Sequence, residues 1–143
     1  MYCTIDNIKG ITSEQDLIEL TDDNVPAQVI VSANVNKAIS DAGEMIDSYL
    51  RSRYTLPFSP LPGLIMTLAC DIAVYRLYAR RTKLTPPEGV SERYKNALKL
   101  LSQIQKGEID LGIEGTDTPE IGDASGITDS APRMFKRDTL RGF

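Results

Sequence analysis

The chain of 143 residues contains no histidine. That absence removes the commonest general base and the commonest zinc ligand, and with them every Ser/His or Cys/His nucleophilic arrangement. Cysteine is nearly as scarce. Cys3 and Cys70 are the only two, far apart and in no CxxC or comparable metal spacing, and are expected as free thiols. No long apolar run is present. LPGLIMTLAC, residues 61–70, is closed by Asp71 and reaches about half of what a bilayer span needs. The start, MYCTIDNIKG, lacks the charged-then-apolar pattern of a secretory signal. These gaps point away from an enzyme, a zinc site or a membrane span. They point towards a chain made and kept in the cytoplasm, with no cofactor.

What is present belongs to one folded domain: 41% apolar and 25% charged residues. A net charge of −4 argues against a whole-protein nucleic-acid binder, although it leaves room for a local basic patch.

The pattern up to Gly107 is helical. ITSEQDLIEL starts with Thr12 or Ser13 as a cap, with Gln15 placed three residues after Thr12 as a capping box requires, and ends near TDDN. Val35, Ala38, Ile39, Ala42, Met45, Ile46, Tyr49 and Leu50 alternate by three and four, which predicts a long helix over residues 26–53 with Pro26 in its first turn. TLPFSPLPG breaks it. A third helix carries Leu61, Leu64, Ile65, Leu68, Ile72, Tyr75 and Ala79 on one face. Pro87 can open a fourth, with Val90, Tyr94, Ala97, Leu98, Leu101 and Ile104, which Gly107 stops. The expected fold is all-α: a small four-helix bundle over residues 1–106 with an extended C-terminal arm. IDLGI is open to a short strand or an extended arm.

Residues 107–130 hold seven acids, five glycines and no base, and read as an acidic flexible linker. Residues 131–143, APRMFKRDTLRGF, reverse that character. Arg133, Lys136, Arg137 and Arg141 surround Phe135, Leu140 and Phe143 against the single acid Asp138. Arginine and aromatics dominate interface cores. Burying four apolar side chains does not repay the ordering of thirteen residues, so the tail reads as an arm that folds on a large partner, helped by main-chain pairing, arginine contacts or many copies.

Other polar positions have structural and functional readings. Asp71, at the margin of the third helix, could be a buried general base; its structural reading is an ion pair with Arg53 or Arg51. Asp41, Glu44 and Asp47 could suggest a metal, but no ExxH-type complement accompanies them, so they read as a solvated face or one turned to a neighbour. Arg76, Arg80, Arg81 and Lys83 form a basic stripe. It is open to three readings: a solvated face, a nucleic-acid contact, or the partner of the acidic Asp41 and Glu44 face on the next copy in a ring.

AGEMIDSYLRSRYTLP (42–57), ACDIAVYRLYARR (69–81), SERYKNALKLLSQIQKGEIDLGI (91–113) and the terminal PRMFKRDTLRGF, in that order after the opening MY-T-D, resemble the head–tail adaptor proteins of Mu-like phages and prophages. The resemblance implies a structural virion protein without catalytic activity, found at the head–tail interface and in the host cytoplasm during assembly. It implies a twelve-membered ring beneath the portal protein that extends the channel for double-stranded DNA, which passes without sequence-specific binding, and offers a platform to a tail-side completion or terminator protein. By the same resemblance Arg133, Phe135, Lys136, Arg137, Leu140, Arg141 and Phe143 would be the portal contacts. The rival readings are a helical DNA-packaging subunit binding through Arg76, Arg80, Arg81 and Lys83, and a carboxylate enzyme using Asp71.

Overall fold

The computed structural model describes residues 1–113. They form five helices: α1 (Ile5–Lys9), α2 (Glu14–Thr21), α3 (Ser32–Leu50), α4 (Gly63–Arg80) and α5 (Glu88–Lys106). No strand occurs among the described residues. The three long helices supply most of the core, and each was legible as a periodic apolar stripe. Val35, Ile39, Ile46 and Leu50 of α3 pack with Ile65, Ile72 and Leu77 of α4 and with Leu101 and Ile104 of α5, all of them buried. The short α1 and α2 close this core with Ile8, Leu17 and Leu20.

Five helices stand where four were expected, because α1 is too short to show a period. It forms through its cap: Thr4 Oγ1 accepts the Asn7 amide at 3.3 Å while Asn7 Oδ1 accepts the Thr4 amide at 2.9 Å. The α2 start also differs in detail. Ser13, not Thr12, caps it by accepting from Asp16 N, and the Gln15 side chain donates to Glu19 at 3.2 Å instead of closing a box.

The helix expected over residues 26–53 is shorter at its start, because Asp22 takes the backbone away from it. This carboxylate, 2% exposed, accepts from Asn24 N at 3.0 Å, Gln28 N at 2.9 Å and Val29 N at 3.3 Å. Three amides gathered on one side chain fix residues 24–29 as a loop. These bonds hold the Asp22 carboxyl at about 2, below the ordinary carboxylate value.

α5 ends as its sequence predicts, at Gly107 with φ +83°. The backbone angle favours glycine there; a Cβ would also meet Arg53 Nη1, the movable end of a long side chain. The chain then returns to the body. Ile109, Leu111 and Ile113 pack against the core, and the Tyr54 hydroxyl bridges Asp110 and the Leu111 amide. The polar segment expected from Gly107 therefore begins with seven residues attached to the bundle, because alternate positions in IDLGI are apolar. The rest of that segment and the tail lie outside the described residues.

Candidate functional site

The charged residues singled out by sequence gather at the α3–α4 edge, but not as expected. α3 and α4 run antiparallel, so Asn34, Lys37 and Asp41 stand across a cavity of about 430 Å³ from Arg76 and Arg80. The acidic and basic positions expected to meet across a subunit boundary are thus two walls of one cleft in a single copy. Asp41 is paired within its own helix to Lys37 at 2.7 Å. That contact raises the Lys37 pKa, against the opposing charge of Arg76. Glu44 and Lys83 are exposed, and Lys83 lies beyond the end of α4.

Arg80 and Arg81 are occupied inside the molecule. Arg80 donates to the Leu20 carbonyl at 3.2 Å and to Asp23 at 2.5 Å. Arg81 donates to the Glu19 carbonyl at 2.6 Å and to the Asp22 carbonyl, and pairs with Asp23 at 3.4 Å. Two cations at the last carbonyls of α2 satisfy orphan acceptors and complement the helix dipole. Within one copy Arg80 thus grips α2. Arg76 differs. Its Nε, like that of Arg81, is buried with no hydrogen-bond partner among the described residues, and unlike Arg81 it lines the cleft.

The expected Arg53–Asp71 pair does not form. Among the described residues the ion pairs are Lys37–Asp41, Arg80–Asp23 and Arg81–Asp23. Arg53 turns to the end of α5, beside Gly107, with its guanidinium 5.7 Å from the centre of the Tyr54 ring. Asp71 faces the other way. Burial raises its pKa, and Arg93 on α5 opposes that shift. The short proline loop brings the ends of α3 and α4 together, but the two side chains point to different neighbours.

Asp41, Glu44 and Asp47 do not converge. Asp47 accepts the Tyr2 hydroxyl, and burial followed by that bond raises the Tyr2 pKa. Among the described residues no group of three or more His, Cys, Asp or Glu side chains could hold a metal. Both cysteines are free and buried, and the neighbouring Cys70 and burial push the Cys3 thiol above its ordinary range. No helix among the described residues is long and apolar enough to cross a membrane. Arg133, Phe135, Lys136, Arg137, Leu140, Arg141 and Phe143 lie outside the described residues.

Sequence reasoning missed Lys37, Asn34 and Asp22. The i, i+4 spacing of Lys37 and Asp41 could have shown that pair. Nothing local marks Asp22 as buried, since TDDN reads as an ordinary turn.

Comparison with known proteins gives this geometry a setting. A family model described as Bacteriophage Mu, Gp36 matches residues 2–128. The chain is 31% identical over 117 residues to the Mu-like prophage FluMu protein gp36 of Haemophilus influenzae, covering 82% of this chain and 80% of that protein. It is 30% identical over 107 residues to gene product J of Escherichia phage Mu, covering 73% and 72%.

Proposed function

The chain belongs to the Bacteriophage Mu Gp36 family, and from that premise we propose that it is a head–tail adaptor of a Mu-like virion, a structural connector without a catalytic step. Its helical body joins copies into a ring under the portal protein, a dodecamer by the family resemblance, and extends the channel through which double-stranded DNA passes. The basic aromatic tail docks on the portal. A tail-side completion or terminator protein takes the opposite face. The assembled chain resides at the head–tail junction of the virion, after assembly in the host cytoplasm.

The observation that carries the reading is the composition of the terminus in a chain of this family: Phe135 and Phe143 among Arg133, Lys136, Arg137 and Arg141, after an acidic segment. Such an arm suits a partner that offers apolar pockets and acceptors, and repetition around a ring multiplies weak arms into firm attachment. The negative net charge of the chain suits a channel that DNA must slide through without sticking. The DNA-packaging alternative loses support from the internal use of Arg80 and Arg81.

The test is binding of the full chain, and of a chain ending at Ser130, to purified portal rings, with circular dichroism and melting as controls on the body. Binding by the full chain alone supports the tail as anchor. Equal binding by both moves the portal contact onto the helices, and binding by neither removes the adaptor assignment.

A further inference from the structure

Asp41 and Arg80 each have a charged partner inside one copy, and other exposed surfaces carry charge as well. Two faces remain. On α5, Lys95, Lys99 and Lys106 are exposed and fall within about 40° of one another on the helical wheel, opposite the buried Ala97, Leu101 and Ile104. No acid interrupts α5 from Arg93 to its end. On α2, Glu14, Asp16 and Glu19 are exposed, with no base in the helix.

α2 and α5 each pack against both α3 and α4 and make no substantial contact with each other. α5 packs on α4 through the Tyr94 ring stacked on Tyr75 and ends with Gly107 beside Arg53, just after α3, while α2 is held by Arg80 and Arg81. The acidic and basic faces therefore lie on helices that do not pack on each other, and no ion pair joins them among the described residues.

The α2 side carries a second, independent mark of an interface. Beyond α2 the loop places Val25, 99% exposed, and Val29, 58% exposed, in solvent. This loop is rigidly built: the buried Asp22 carboxylate fixes its amides, and Arg80 and Arg81 fix its base.

We propose that the α5 lysine face is the docking surface for the acidic α2 face and the Val25–Val29 loop of a second copy of this chain. The lysine ammoniums meet the carboxylates, and the lysine stems give the valines apolar cover. Because donor and acceptor surfaces differ, the contact is head-to-tail, and repeated at a closing angle it makes a ring. The inference rests on the ring reading above and assigns its subunit contact.

The experiment uses full-length chains: wild type, Lys95→Glu/Lys99→Glu and Asp16→Lys/Glu19→Lys, with circular dichroism and melting to establish that each is folded. Self-association is followed by sedimentation velocity at low and high salt, alone and with portal rings. Each variant is expected to associate roughly tenfold or more weakly than wild type, because a reversed pair repels as well as losing its attraction. Salt is expected to weaken the wild-type contact. The equimolar mixture of the two variants is expected to regain assembly, since each presents the charge the other needs. Reversals without effect, no recovery on mixing, or a wild type that stays monomeric with and without portal overturns the contact. Portal binding is scored separately: if it persists while the α2–α5 contact fails, the adaptor reading stands without this inference.

Discussion

Two aspartates lie close to the core and respond to pH in opposite senses. Asp22 accepts three backbone amides, which lowers its pKa to about 2. Its folded value is below the unfolded value of about 3.9, so its contribution to stability is complete above about pH 4 and is lost as pH falls towards 2. Asp71 is raised by burial, so its ionisation costs stability as pH rises through the carboxylate range. The expected outcome for Asp22→Asn is a melting midpoint several degrees lower at neutral pH and a flatter acid limb, checked by circular dichroism melts across pH 2–7. Asp71→Asn is expected to leave the neutral-pH midpoint unchanged or higher. A marked drop would restore a stabilising ion pair at that position. Gly107→Ala is expected to cost about 1–3 kcal/mol in urea titration, from the left-handed backbone angle. Arg53→Ala in that background should recover little of this cost, since the Arg53 guanidinium can swing away.

At the scale of helices, α4 organises the body. It packs on α3 and α5 through buried Ile65, Ile72 and Leu77, and its end holds α2. α5 depends on this contact, because its apolar stripe is narrow and the rest of the helix is polar. Leu101→Ala, at a fully buried position, is therefore expected to destabilise by about 2–5 kcal/mol in urea titration. Arg81→Ala acts on a different element. It removes donors from the Glu19 and Asp22 carbonyls and should loosen α2 and the 22–31 loop locally. Hydrogen exchange is expected to rise at residues 17–29 while the α3–α5 amides keep their protection. Global loss of protection would mean that α2 is not a separable cover.

For the whole molecule, charge is distributed so that some is consumed inside and some is left for partners. The α3–α4 cleft consumes Asp41, and the grip on α2 consumes Arg80 and Arg81. The α2 acids and α5 lysines are left exposed on helices that do not pack on each other. At low salt the chain is expected to give no mobility shift with duplex DNA, since Arg80 and Arg81 of the basic stripe are bonded internally and the net charge is −4. A salt-sensitive shift abolished by Arg76→Ala/Lys83→Ala would instead favour the DNA-binding alternative.

The sequence by itself determined the three long helices, because a stripe of apolar residues every three to four positions has one low-energy way to be buried. It also determined the stop at Gly107, where a left-handed residue must lack a side chain. Tertiary structure decided what local pattern could not carry. It decided that TDDN would bury one carboxylate and so shorten α3 at its start, that Arg53 and Asp71 would turn apart, and that Asp41 would share a cleft with Arg76. Each of these depends on which helix lies beside which. An antiparallel α3–α4 pair sets residues about forty positions apart face to face, and the charge of a side chain does not encode which neighbour it will meet.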